Sequence, residues 1–300
     1  MKKLILISVL LQLGTAFPHP GTGIVIDKSG NLYFIHTGVG IAKYSAGGVL
    51  TYIHKSVDGH WMCLDEAGLF STIQPVHFRR ITKDGEKPSI IFAGGGSPIV
   101  MGPDGNFYYC GGENGDLNPG ARTIIRETPQ HKLSVLSAGL EDTLRKLNEG
   151  ITGLAADASG LYLACWNSLL KVTMQGTIRV LVHPVPVPGC DPDPADHNEA
   201  NRGIPLLRGI AVDQNGIIYT AATSCHCLLR ITPDGKAETI LKSERPWSPT
   251  GVTVNNGNIY VLEYTNANGP RSEGWKPRVR KIDKKGNITT IVDLSEGNKM

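Results

Sequence analysis

The chain has 300 residues, with 30 basic and 27 acidic side chains for a formal net charge of +3, and no Lys/Arg block marks a nucleic-acid or membrane-surface footprint. Hydrophobic residues are 40% and charged residues 19%, as in a globular chain, while 36 glycines and 19 prolines impose many turns and favour an all-β protein over a helical one.

Residues 1–16 read as a signal peptide. Lys2 and Lys3 form a positive start, Leu4 to Leu13 is apolar apart from Ser8 and Gln12, and Gly14-Thr15-Ala16 is a small-residue cleavage site. The apolar run is too short to span a bilayer, and no Cys follows it to carry a lipid, so no membrane anchor is expected. Cleavage after Ala16 would leave 17–300 as a single domain in the periplasm or medium.

From residue 23 onward one pattern recurs six times. GIVIDKSGNLYFIH (23–36), WMCLDEAGLFSTI (61–73), IVMGPDGNFYYCG (99–111), GLAADASGLYLAC (153–165), GIAVDQNGIIYTAA (209–222) and GVTVNNGNIYVLE (251–263) each read as strand, glycine turn and aromatic-bearing strand. The turn glycines are Gly30, Gly68, Gly105, Gly160, Gly216 and Gly257; the aromatics are Tyr33, Phe70, Tyr108, Tyr162, Tyr219 and Tyr260. A third strand then carries one basic residue, at Lys43, Arg80, Arg126, Lys171, Arg230 or Lys281, before a turn and a fourth strand. Each unit is thus predicted as a four-stranded antiparallel meander of about 47 residues, and the whole as an all-β, six-bladed β-propeller. Such blades bury both faces against their neighbours, so their strands read as apolar runs rather than strict alternation.

The pattern G-[IV]-x-V-D-x-x-G-x-[IL]-Y…[RK]-I-x-x-x-G, best kept in GIAVDQNGIIYTAA…LLRITPDG, resembles the NHL-repeat propellers and the six-bladed gluconolactonase/regucalcin-like group. The resemblance implies the fold but not one activity, because that group spans metal-dependent lactonases, amidating lyases and binding modules. It also implies where a cation would sit. The gluconolactonase-like enzymes place Glu, Asn and Asp near inner-strand starts, where this chain has Thr, His, Ser and Arg, and the amidating lyases use several axial His where it offers His60. No cofactor is therefore predicted.

The longer connections fall at one predicted end of the ring. With the four strands of each blade labelled a to d from axis to rim, they are 112–121 and 265–276 in b–c loops and 140–150 and 183–207 in the d–a connections between blades, and long loops beyond tight-turn length are commonly functional. At that end, three places after each strand aromatic, stand His36 and Glu263; at inner-strand starts stand His60 and Arg208. These four are the candidate catalytic or ligand-binding groups, suited to anion binding or acid–base work, with the loop aromatics Trp166, Trp247, Tyr264 and Trp275 beside them. Alternatively Glu263 organises its own 265–276 loop through backbone N–H groups, and His60 and Arg208 are solvated channel residues.

In CDPDPADHNEAN (190–201), Asp191, Asp193 and Asp196 are candidate calcium ligands, though the prolines stiffen the loop and no glycine supplies an EF-hand turn. Of the six cysteines, Cys63, Cys110 and Cys165 read as buried strand residues. Cys190 is expected to form a disulfide with Cys225 or Cys227 in an exported protein, the rival being a metal site of Cys190, Cys225, His226 and Cys227. The predicted function is a monomeric binding module presenting this face to a small polar ligand, a glycan or a protein. The alternative is a gluconolactonase-like hydrolase or lyase at the channel mouth. Nucleic acid is not an expected partner.

Overall fold

The computed structural model of the chain describes residues 20–55, 59–70, 78–80, 87–94, 97–111, 122–190, 204–267 and 274–296. Its strands form antiparallel sheets in chain order. The first holds β1 (Ile24–Ile26), β2 (Leu32–His36), β3 (Gly40–Tyr44) and β4 (Leu50–Lys55); the second β5 (Trp61–Asp65), β6 (Phe78–Arg80) and β7 (Ser89–Ala93). The third holds β8 (Ile99–Met101), β9 (Phe107–Cys110), β10 (Ile124–Glu127) and β11 (Leu133–Val135), and α1 (Leu140–Leu147) follows it. The fourth holds β12 (Ile151–Asp157), β13 (Gly160–Cys165), β14 (Leu169–Val172) and β15 (Ile178–Val182). The fifth holds β16 (Leu207–Val212), β17 (Ile218–Ala222), β18 (Cys227–Ile231) and β19 (Ala237–Lys242); the last β20 (Trp247–Asn255), β21 (Asn258–Thr265), β22 (Pro277–Ile282) and β23 (Ile288–Asp293). The fold is a β-propeller with five four-stranded blades among the described residues.

Apolar packing between neighbouring sheets holds the ring. One buried cluster joins Phe34 and Ala42 of the first sheet to Leu262, Tyr264 and Val279 of the last. Another joins Leu154 and Leu163 of the fourth sheet to Tyr108 and Ile124 of the third. The innermost strands touch in the cyclic order β1, β5, β8, β12, β16, β20 and back to β1. Glycine permits that approach. A Cβ on Gly251 would lie 2.2 Å from the Thr22 carbonyl oxygen, one on Gly209 2.7 Å from that of Thr250, and one on Gly153 2.3 Å from that of Arg208. The recurrent glycine within β12, β16 and β20 is therefore needed where one blade's backbone leans on the next.

The other recurrent residues build the tight-turn end. Asp27 accepts the Asn31 backbone N–H at 2.8 Å and the Tyr33 hydroxyl at 3.0 Å. The tyrosine bond recurs from Tyr108 to Asp104 at 2.6 Å and from Tyr162 to Asp157 at 2.9 Å. The basic residue of the third strand is the tyrosine's cross-strand partner, as in Tyr33 with Lys43, Tyr162 with Lys171 and Tyr260 with Lys281. The ammonium groups of these lysines lie 5.5, 4.6 and 5.9 Å from the ring centroids. The acid, aromatic and base of the repeat thus secure the turn.

Two expectations need correction. The second sheet is not a four-stranded meander among the described residues, since its order is β5-β7-β6 and the strand expected over 69–73 falls largely in 71–77, outside them. Rim strands elsewhere keep several exposed residues, as β4 and β23 do, whereas all five residues of β7, SIIFA, are buried. A strand with no polar face belongs inside a sheet. Here too the aromatic is Phe70, which has no hydroxyl to offer Asp65 and gives its backbone N–H instead, at 2.8 Å. Second, the 140–150 connection is not a plain loop: it contains α1, whose Leu140 and Leu144 are buried one turn apart.

Candidate functional site

At the end opposite the tight turns, b–c loops bond to the connections between blades. Cys190, after the fourth sheet, is disulfide-bonded to Cys225 in the short 3-10 turn Thr223–Cys225 that follows β17. This selects Cys225 over Cys227, which remains a buried thiol beside Cys63, Cys110 and Cys165. It also removes the rival metal site, since two of its sulfurs are bonded to each other and His226 Nδ1 lies 2.7 Å from the Trp247 carbonyl oxygen. Among the described residues no group of three or more His, Cys, Asp or Glu is placed to hold a metal ion. Asp191, Asp193 and Asp196 lie outside the described residues.

Glu263 is fully buried at the seam between the last two blades. The Ser243 hydroxyl donates to its Oε1, Arg278 Nε donates to its Oε2 at 2.6 Å, and Arg280 lies 3.8 Å away. Arg278 also donates to Glu244 at 2.6 Å and stacks 4.1 Å over the Trp247 ring. Burial pulls the Arg278 guanidinium down, but its bonds to Glu244 and Glu263 outweigh this and hold it above its ordinary value. Its bond holds the Glu244 carboxyl down in turn. Glu263 thus anchors the strand preceding the 265–276 loop, and its bonds lead to the fifth blade's connection rather than to His36.

Its neighbour Tyr264, also fully buried, spans the opposite seam. The Tyr264 hydroxyl donates to the Ile35 carbonyl oxygen and lies 3.3 Å from the Thr37 backbone N and 3.2 Å from its Oγ1. Thr250 Oγ1 donates to Gly21 O at 3.0 Å, and Thr22 Oγ1 donates to His60 O at 3.1 Å. Three predicted site residues, Glu263, Tyr264 and Trp247, therefore belong to seams. Trp275 packs in the buried cluster between the first and last sheets, and its Nε1 donates to Asn266 O of its own loop at 3.1 Å.

His36 and His60 keep half-exposed side chains, and Arg208 is 8% exposed on its inner strand. His60 precedes β5 and Arg208 lies in β16, three places apart in the cycle of inner strands and so across the axis from each other. His36 Nδ1 lies 2.6 Å from the Tyr52 hydroxyl, and burial lowers the imidazole to about 4. The ring is consequently neutral at pH 7. Trp166 is half-exposed, with its indole edge against Gly150.

One constellation was not read from the sequence. Ser168 Oγ lies 2.7 Å from Glu149 Oε1 and 2.7 Å from His183 Nδ1. The Asn167 backbone N–H also donates to the Glu149 carboxylate, at 3.1 Å, and Arg122 Nε donates to the Glu149 carbonyl oxygen at 2.9 Å. The left-handed cap Asn148 ends α1 and turns the chain so that Glu149 reaches the b–c turn of the fourth blade. Helix spacing in LEDTLRKL was a readable signal for α1. Nothing in sequence signals the meeting of Glu149, Ser168 and His183, which come from three separate segments.

No family model matches the chain, and no curated protein matches it. Solved structures do. The PQQ-bound form of aldose sugar dehydrogenase from Streptomyces coelicolor is 15% identical with a TM-score of 0.55, covering 88% of this chain and 94% of that one. A streptogramin B lyase is 13% identical with a TM-score of 0.51, covering 92% and 84%. A protein assigned as a gluconolactonase is 17% identical with a TM-score of 0.50, covering 81% and 85%. At such identities the likeness is one of fold. Among the described residues no helix is long and apolar enough to cross a membrane.

Proposed function

We propose that the chain is an exported, monomeric, NHL-type six-bladed propeller that binds a small polar ligand, glycan or protein on its long-loop face. The cyclic contact of the inner strands, β5 included, supports six blades, with residues 17–300 as the domain after a signal peptide at 1–16. The disulfide Cys190–Cys225 suits an oxidising compartment. One observation carries the binding reading: the acidic candidate Glu263 is consumed in a buried ion pair, while His36, His60 and Trp166 stay half-exposed at the same end. With Arg208 they offer imidazole nitrogens, one cation and one aromatic face, a set suited to recognition. Glu263, Trp247 and Tyr264 hold the loops that present them.

A second reading, a gluconolactonase-like hydrolase or lyase at the channel mouth, draws on the placement of His60 and Arg208 across the axis and on the fold likeness. Metal analysis together with histidine NMR separates the two. Sugars, sugar acids or peptides that shift the His60 resonance, with the shift lost in Arg208→Ala, support binding. A stoichiometric divalent cation with turnover of lactones favours the enzyme. Unmoved histidine resonances across the panel sink the binding proposal.

A further inference from the structure

The Glu149–Ser168–His183 constellation fixes the proton of one imidazole. Glu149 is 3% exposed and its carboxylate can only accept; it already takes the Asn167 N–H. Ser168 has a single hydroxyl proton and is fully buried between the two partners. That proton goes to Glu149 Oε1. Ser168 Oγ then has only lone pairs for His183 Nδ1, so Nδ1 must carry hydrogen and donate. In the neutral ring the lone pair therefore rests on Nε2. The His183 side chain is 35% exposed, so this acceptor belongs to a partly open ring. The arrangement follows the logic by which a carboxylate sets a histidine's tautomer, with a serine hydroxyl as the intermediary.

What surrounds it resembles a built site more than a packing accident. Trp166 precedes Asn167 and Ser168 in the same turn and packs on Gly150, the residue after Glu149, so its half-exposed indole shares the carboxylate's surroundings. Asn167 Oδ1 is buried with no hydrogen-bond partner among the described residues, a second acceptor lacking a donor. Arg122 braces the Glu149 backbone from the third blade.

We propose that His183 is a hydrogen-bond-accepting binding residue for a hydroxyl-bearing ligand of the sugar class, with Trp166 as its apolar platform and Glu149 and Ser168 as positioning residues. A sugar ring offers hydroxyl donors at its edge and a C–H face that packs on an indole. The proposal rests on the reading of the long-loop end as the binding face, and names a ligand class and a place on it.

The test uses the full chain and long-range ¹H–¹⁵N spectra of its histidines. The untreated protein should show His183 as the Nδ1–H tautomer, and Ser168→Ala should release it toward the Nε2–H form common for free imidazole. A wild-type Nε2–H tautomer would overturn the relay without any variant. Neutral monosaccharides (glucose, galactose and mannose) should then shift the His183 and Trp166 ring resonances. Binding should weaken about tenfold in His183→Gln, the scale of one lost hydrogen bond. Sugar-induced shifts confined to His60 and His36 would overturn this site and leave the binding-face reading standing. No shift at any histidine with any of the three sugars overturns the ligand class assigned here.

Discussion

Glu263 Oε2 and Arg278 Nε lie 2.6 Å apart, directly across strands β21 and β22, in a place where the carboxylate has no exposure to solvent. The cross-strand register sets the two side chains on the same face, and the Ser243 hydroxyl and Arg280 complete the surroundings of the acid. An acidic residue at the end of an apolar strand is therefore part of the ring's mortar. Its value is conditional, since a buried ion pair is weak evidence of stability as a pair but expensive to break on one side.

Glu263→Gln keeps the shape and removes the charge, leaving Arg278 with Glu244 alone, whose side chain is 62% exposed. The expected cost is on the order of 3 kcal/mol, near the lower end for breaking a buried pair because Glu244 still neutralises part of the guanidinium. Urea unfolding at pH 7 measures it. Replacing both partners by apolar residues (Glu263→Leu with Arg278→Met) should recover most of the loss. A Glu263→Gln protein as stable as wild type would mean that the pair does not hold the seam.

Gly251→Ala places a Cβ 2.2 Å from the Thr22 carbonyl oxygen, a backbone atom of the neighbouring blade that cannot step aside cheaply. Either the inner strands separate or the ring opens at the seam, with a cost of at least about 3 kcal/mol, in the range of severe steric substitutions. Gly47→Ala is the control: its nearest neighbour is the Ser45 hydroxyl at 3.8 Å, and its expected change is within about 0.5 kcal/mol. Equal melting temperatures for the two variants would contradict the close approach of the blades.

The sixfold pattern made the architecture legible because each of its residues has a local job. Gly251 and its counterparts admit the next blade, Asp27 and Tyr33 close a turn, and Lys43 covers the ring; local chemistry repeated leaves a mark in sequence. The second sheet escaped because SIIFA reads as any apolar strand, and position within a sheet depends on which edges its neighbours leave free. Side-chain direction at the long-loop end was not legible either. Glu263 and Tyr264 are adjacent and so point to opposite faces of β21, one toward each seam, and only the packing tells which. The disulfide partner, by contrast, was confined to two cysteines by loop placement, and geometry chose Cys225.

The Cys190–Cys225 disulfide closes a segment of sequence separation 35. Loop-closure entropy for that length gives about 3–4 kcal/mol of stabilisation through the unfolded chain. Adding reductant, or making Cys190→Ser with Cys225→Ser, should lower the melting temperature accordingly, whereas Cys227→Ser should leave disulfide content unchanged. Peptide mapping of the unreduced protein should return the 190–225 cross-link with Cys227 free. A recovered Cys190–Cys227 link would instead refute the pairing.

His36 sets a dependence on acidity. Burial lowers its imidazole from 6.5 to about 4, so the folded protein keeps the ring neutral where the unfolded chain would already protonate it. Between pH 6.5 and 4 the unfolded state binds the extra proton, and stability falls as pH falls through that window. Above pH 6.5 both states are neutral and the contribution is flat; below about 4 it is flat again. The shift corresponds to roughly 1–3 kcal/mol after allowing for solvent at a half-exposed ring. His36→Gln lacks the titration, so the difference in unfolding free energy between the two proteins should change by that amount from pH 7 to pH 4.5, with wild type losing more. Burial supplies the reason, because desolvation disfavours the charged ring; the Tyr52 hydroxyl, 2.6 Å from Nδ1, can donate to the neutral ring or accept from the protonated one and so does not itself choose between them. Parallel stability curves for wild type and His36→Gln across that range would show that the ring is solvated in both states and that burial does not hold it neutral.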